Sequence, residues 1–238
     1  MNIYSSTYGS SYENMKKKFH RKENNLPISR AAQRVTPNSI VLEFGCASGY
    51  LTRYLSEEKH CEVYACEIDT SAAKSAAKYA KDIYVGDCES LEWTKIFGNY
   101  KFDFILFTDV LEHLRDPTTV LKNSLLLLKQ EGVVCASIPN VAYKTVLIDL
   151  IKYDLFEYKP RGILDSTHLR FFTEKTIQSF FEVNGLDIEE FHHYKSSVVK
   201  NEKQLDEFPI LFRWYLKKLN KNIETSVFYI EASKAINS

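Results

Sequence analysis

From Ser39 onward, short runs of apolar residues alternate with longer segments in which apolar residues recur at helical spacing. A short apolar run suits a strand buried on both faces, and the intervening segments suit helices that cover it. The alternation therefore predicts an α/β domain on a parallel sheet. The predicted strands are Ile40–Phe44, Glu62–Cys66, Ile83–Val85, Phe102–Phe107 and Val133–Ile138; the predicted helices lie near Tyr50–Glu58, Ser71–Ala80, Trp93–Phe97 and Thr118–Leu128. After Pro139 the rhythm changes to an apolar segment Val141–Leu155, a loop Lys159–Thr167 and a helix opened by Thr173, whose hydroxyl can cap the amides near Thr176. Two further strands, Leu186–Tyr194 and Ser226–Ala232, flank an excursion containing the helical pattern Ile210–Leu219. They are expected to close the sheet as an antiparallel edge.

Residues 1–38 hold three spaced tyrosines, Tyr4, Tyr8 and Tyr12, and the basic run Lys16–Lys22, with too few apolar residues for a domain of their own. They are expected to cap a single domain spanning 39–238, which carries inserted segments at about 140–170 and 196–224. Composition narrows the class: 45% of residues are hydrophobic, enough for a packed core, yet no apolar stretch approaches the roughly 20 residues of a membrane span. Lys+Arg and Asp+Glu are equal at 31 each, which leaves no excess charge for holding a polyanion and disfavours nucleic acid. The five cysteines are odd in number and contain no C-x-x-C pair. They are expected to be reduced, buried thiols, and the absence of a basic start and apolar core at Met1 adds to the expectation of a cytoplasmic protein. The apolar faces of Val146–Leu155 and Ile210–Leu219 suit either a homodimer contact or a cover for the sheet.

The first strand runs into Gly45-Cys46-Ala47-Ser48-Gly49 and then a helix, the place where an open α/β sheet keeps its ligand crevice. Ala47 and Tyr50 stand where a dinucleotide fingerprint needs its second and third glycines, and no lysine follows Gly49 as a phosphate loop requires. Nicotinamide cofactors and nucleoside triphosphates are disfavoured. What remains is an acid followed by small residues, Glu43 through Gly49, with Glu67 ending the next strand and Gly86-Asp87-Cys88 ending the third. A carboxylate in the place of Glu67 suits the two hydroxyls of a ribose, so three strand ends converge on a nucleoside-sized ligand. Taken singly, Glu43 and Asp87 could instead be acids at helix N-termini and Glu67 a surface carboxylate.

These segments, with Phe102 through Asp109, resemble the successive motifs of the class I S-adenosylmethionine-dependent methyltransferases over about residues 38–138. The resemblance implies a Rossmann-like, seven-stranded, mostly parallel sheet and S-adenosyl-L-methionine as cofactor. It also implies that Glu43, Gly45, Ala47 and Gly49 lie against the methionine part, that Glu67 with Ile68 takes the ribose side, that Asp87 and Cys88 face the adenine, and that Thr108 joins this set. Ala47 departs from the glycine of many members, a change small enough to leave the loop open.

A second cluster follows the fourth strand. Asp109, Glu112 and His113 are spaced three and four apart, and His168 comes from the distant run Asp165 through Thr173. Acids and imidazoles of this kind suit a general base with its orienting acid, or a divalent cation. Gly162–Thr173 resembles a methyltransferase subset of bacterial polysaccharide and natural-product assembly. The acid-x-x-Glu-His element with a later His also resembles ubiquinone-pathway O-methyltransferases and RNA ribose-methylating enzymes, whose cluster binds magnesium or manganese. Here Asp109 replaces the first glutamate with a shorter arm, so no metal is favoured; Asp109, Glu112, His113 and His168 would be its ligands. His113 is the first choice of base and His168 the second, with Asp109 beside them. His113 could instead merely close the turn before Pro117, and His168 with Arg170 could pin the inserted segment. The implied activity is methylation of a small-molecule or glycan hydroxyl. The alternatives are a non-catalytic scaffold and metal-assisted methylation of an RNA ribose or a catechol-like hydroxyl.

Overall fold

The computed structural model describes residues 12–20, 26–195 and 205–235. Tyr4, Tyr8, Arg21 and Lys22 lie outside the described residues, as do residues 196–204 of the second inserted segment.

All seven predicted strands form, as β1 (Ile40–Phe44), β2 (Glu62–Glu67), β3 (Asp82–Val85), β4 (Phe102–Thr108), β5 (Leu128–Pro139), β6 (Leu186–Tyr194) and β7 (Val227–Lys234). They make one sheet in the order β3-β2-β1-β4-β5-β7-β6. The first five run parallel, β7 pairs antiparallel with β5, and β6 pairs antiparallel with β7 at the outer edge. The strand that runs against the others is thus one place in from the edge. Sequence order reverses between β1 and β4, which opens a crevice above their C-terminal ends.

The helices are α1 (Tyr12–His20), α2 (Pro27–Arg34), α3 (Tyr50–Lys59), α4 (Thr70–Ala76), α5 (Trp93–Phe97), α6 (Pro117–Leu125), α7 (Lys144–Tyr153), α8 (Glu174–Val183) and α9 (Ile210–Leu219). Local chemistry moves two boundaries from the sequence expectation. Asp69 caps α4 by accepting from the Ala72 amide at 2.7 Å, which starts that helix at Thr70. At α6, Leu128 already pairs with Phe102 in the sheet, so the helix ends at Leu125 and the strand begins earlier than the apolar run alone suggests. Thr173 and Thr176 form the expected cap of α8, side chain to backbone in both directions.

The period of two along β1 separates two layers. Leu42 and Phe44 face Trp93, Phe97 and Phe107, with the Phe44 and Phe107 rings stacked at 4.6 Å. Val41 faces the other way, toward Leu51, Leu55, Met15, Phe19 and Ala31, so α1 and α2 share a core with the sheet. Glu231, a buried acid on β7, fixes α2 through Arg34 at 2.6 Å and Arg30 at 3.4 Å. A carboxylate removed from water needs such partners. α7 and α9 meet around Ile148, Leu205, Leu216 and Ile223 and leave Leu150, Ile151, Leu211 and Trp214 exposed. Among the described residues no helix is long and apolar enough to cross a membrane.

Candidate active site

The loop after β1 folds tightly because three of its residues take left-handed backbone: Gly45 at φ 67°, Ala47 at 48° and Gly49 at 81°. Gly49 has no substitute, since a Cβ there would stand 2.7 Å from the Ala76 backbone. A Cβ at Gly45 would stand equally close to Val110, the residue that follows the end of β4 and its Asp109. Ala47 adopts the conformation at a cost of roughly 1–2 kcal/mol. Its amide is held by Glu67, whose Oε2 accepts from the Ala47 N–H at 2.7 Å while Oε1 accepts from the Asp69 N–H at 2.8 Å. Glu67 is therefore no loose surface carboxylate; it is buried and ties the end of β2 to the loop after β1.

Glu43 lies beneath this loop, fully buried, accepting from the Thr52 hydroxyl at 2.7 Å. Burial pushes its carboxyl up to about 7, the Thr52 bond opposing and the nearby Glu67 adding to the rise. Thr108 and Gly45 border the same small cavity, and Met15 and Ile28 of the N-terminal helices line it as well. Ile68, the residue after β2, is 69% exposed. Asp87 opens a one-turn helix by accepting from the Glu89 amide at 2.8 Å, as an acid at a helix N-terminus does, and it also takes Arg115 at 3.1 Å. The Cys88 side chain packs partly against the core of Trp93, and burial raises its thiol to about 12. The thiol is therefore neutral.

The second cluster assembles from three of its four expected members. One ligand atom each from Glu112, His113 and His168 lies within 4.8 Å of the others, and the two rings meet edge to face at 4.7 Å. Asp109 does not join this group. Its left-handed backbone, φ 55°, ends β4 ahead of the turn Leu111–His113, so the three residues do not project from one helical face as their spacing suggested. Its carboxylate accepts from the Ser137 hydroxyl at 2.6 Å and binds the turn to β5.

The remaining contacts fix the protons. Thr167 gives its hydroxyl hydrogen to Asp165 at 2.6 Å, so its hydroxyl and carbonyl oxygens both accept from His113 Nδ1, at 3.1 and 3.2 Å. His168 Nδ1 donates to the Ile163 carbonyl at 2.9 Å. Each ring carries its hydrogen on Nδ1 and keeps the Nε2 lone pair. Burial lowers both pKa values, for His113 with the help of His168, so both are neutral at pH 7. Glu112 is 1% exposed and neither carboxyl oxygen has a partner among the described residues; burial, then Asp109, raises its pKa well above the usual value. An uncompensated buried acid costs free energy and persists where something else requires it.

A family model for the methyltransferase domain matches residues 17–190. The chain belongs to the methyltransferase family. Among curated relatives, the ubiquinone biosynthesis O-methyltransferase of Coxiella burnetii is 28% identical over 174 residues, 69% of this chain and 70% of the relative. That of Nitrobacter winogradskyi is 26% identical over 156 residues, 63% of this chain and 57% of the relative. Among solved structures, a SAM-dependent methyltransferase from Archaeoglobus fulgidus superposes with TM-score 0.64 at 19% identity, covering 98% of both chains. An S-adenosylmethionine-dependent methyltransferase from Clostridium acetobutylicum gives 0.57 at 14% identity, covering 98% of this chain and 96% of that one. At such identities the structures establish the fold, which is that of the class I methyltransferases.

In this methyltransferase, motif spacing alone left several contacts hidden. Met15 and Ile28 reach the glycine-loop cavity from the cap, and Arg115 spans Asp87 and Glu89. Met15 follows Tyr12 and precedes Phe19 at helical spacing, which marks a buried face; nothing comparable marks Arg115.

Proposed function

We propose that this methyltransferase moves the methyl group of S-adenosylmethionine to a hydroxyl oxygen of a small-molecule or glycan acceptor. The observation that carries this reading is the pair of neutral imidazoles, His113 and His168, with free Nε2 lone pairs beside the unpartnered Glu112, where β4 ends next to the glycine loop. The names of the relatives, O-methyltransferases, support the choice of oxygen. The sulfonium already supplies a good leaving group, so the protein has to align and deprotonate. The acceptor oxygen would bond the methyl carbon as the S–CH3 electron pair returned to sulfur, and a histidine Nε2 would take the hydroxyl proton. Gly45 to Gly49 would take the methionine part, Glu67 with Ile68 the ribose side, and Asp87 with Cys88 the adenine side. Exposed Phe156 and Tyr158 lie against Phe171 with ring centroids 5.7 and 6.1 Å apart, next to the histidine segment, and suit the face of a sugar or a phenol.

The same three residues fit a divalent cation. Nδ1–H bonds to backbone carbonyls leave Nε2 available for ligation, and the orphaned Glu112 carboxyl gains the charge partner it lacks. Glu112, His113 and His168 would hold the ion, and Asp109 would orient the turn. When bound, such an ion lowers the pKa of a coordinated hydroxyl.

Calorimetric titration with S-adenosylhomocysteine, followed by transfer of a labelled methyl group to panels of sugars and phenols with and without Mn2+, tests this. One-to-one binding with label in an ether-linked product supports it; binding with label only on nitrogen or carbon overturns the oxygen assignment. The site also has a pH signature. The ammonium of a bound homocysteine moiety favours ionised Glu43, so affinity should rise between pH 6 and pH 8 and binding at pH 6 should release a proton, seen by calorimetry in buffers of different ionisation enthalpy. Glu43→Gln should remove both effects. In the free protein the sign is the opposite. The folded chain keeps this proton up to about 7 whereas the unfolded chain releases it at the usual 4.5, so Glu43 lowers stability as pH rises through that window.

A further inference from the structure

The turn after β4 holds two regions that are far apart in sequence. On one side Arg115 Nη2 reaches Asp87 Oδ2 at 3.1 Å and its Nε reaches Glu89 Oε2 at 3.2 Å, while Glu89 Oε1 accepts from the Asp116 amide at 2.7 Å. On the other side the Glu112 carbonyl accepts from the Leu169 and Arg170 amides at 2.8 and 3.0 Å, and the Arg115 carbonyl accepts from the Arg170 guanidinium. Asp87 and Glu89 belong to the turn that ends β3, on the adenine side of the crevice. Leu169 and Arg170 directly follow His168. Arg115 is the residue whose side chain grips the first region and whose carbonyl holds the second.

We propose that Arg115, with Glu89, is a positioning residue that ties occupancy of the adenine side to the placement of His113 and His168. The proposal rests on the cofactor reading given above. A nucleoside seated against Asp87 restricts the Asp87–Ser90 turn; the fork of Arg115 and the Glu89 bond to Asp116 pass that restriction to the turn holding Glu112 and His113. The backbone bonds to Leu169 and Arg170 then carry it to His168. The guanidinium suits the task because its planar donors engage two carboxylates at once, which a lysine ammonium does less well. Arg115 is itself largely exposed and touches neither ring, so it acts through the turn and takes no part in proton transfer.

Hydrogen exchange of the full chain, with and without saturating S-adenosylhomocysteine, reads this directly. In the wild type, nucleoside binding should slow exchange at the Leu169 and Arg170 amides at least threefold. Arg115→Ala should still bind S-adenosylhomocysteine, weakened about three- to tenfold, and lose the slowing; Arg115→Lys should recover part of it. Exchange at the two amides in the ligand-free variant should stay within twofold of wild type, and a large rise there would reveal mere structural support and overturn the proposal. Retention of the full slowing in saturated Arg115→Ala overturns it too. If the wild type binds no S-adenosylhomocysteine, the cofactor reading itself falls, an outcome distinct from a variant that binds without coupling.

Discussion

Glu67→Ala will weaken S-adenosylhomocysteine binding by more than about 100-fold, some 2.7 kcal/mol or more. Two losses add. In the free protein the Glu67 carboxylate accepts from the amides of Ala47, in the loop after β1, and Asp69, just past β2. Its removal leaves these donors without their partner, at roughly 1–3 kcal/mol for each one that stays buried. Ala47 then lacks the bond that compensates its left-handed backbone, and the loop can relax away from the shape a ligand needs. The second loss is the pair of hydrogen bonds that the ribose hydroxyls would make in the proposed cofactor site. Glu67→Gln separates the two, because its amide oxygen still accepts from one backbone donor but its nitrogen cannot accept from the other. Its affinity should fall between wild type and alanine. Thermal unfolding of the ligand-free variants reads the loop contribution by itself, with the alanine variant less stable by about 1–2 kcal/mol. Affinity within threefold of wild type for Glu67→Ala would falsify the placement of the ribose here.

The division between what the sequence disclosed and what it hid follows from how each feature is encoded. The strands were legible because burial on both faces demands a continuous apolar run, and Ile40–Phe44 keeps the same bounds in sequence and structure. The position of the glycine loop followed from Gly45 and Gly49 after that run. The bracing of Ala47 by Glu67 did not, since it depends on two chain segments meeting above the sheet edge. Asp109 shows the converse error. Spacing of three and four implies one face only if the backbone is helical, and a positive φ at Asp109 turns its side chain toward Ser137 instead. Arg115 was invisible for a related reason: an arginine in an exposed turn carries no period, and its value lies in two acids 26 and 28 residues away. Helix ends were hidden where the competing partner is remote, as when Leu128 leaves α6 to pair with Phe102.

Glu112→Gln should leave S-adenosylhomocysteine affinity within threefold of wild type and reduce methyl transfer by about 10²- to 10⁴-fold, the range for losing a positioned acid–base group or its partner. His168→Ala should do the same. A buried carboxyl without partners is a liability, and burial holds its pKa well above the usual 4.5, so the folded chain retains a proton there that the unfolded chain gives up. Unfolding free energy contributed by this group therefore declines as pH rises above about 4.5. The glutamine variant has no such proton to lose. Its stability should match or exceed wild type at pH 8, and the difference should shrink toward pH 5. A gain in stability accompanied by loss of transfer is what a residue kept for chemistry produces, whereas a packing residue loses both together. The histidines predict the pH profile of the wild type: both pKa values lie below the ordinary 6.5, so kcat/KM for the acceptor, at saturating S-adenosylmethionine, should rise with pH below that value and level off by pH 7. On the metal reading proposed above, Mn2+ would protect the wild type against thermal unfolding more strongly at pH 8 than at pH 6, because its binding would displace the Glu112 proton, and the protection would vanish in Glu112→Gln. Full transfer by Glu112→Gln at pH 7.5 would remove the cluster from the reaction and leave alignment by the cofactor loop as the source of the rate.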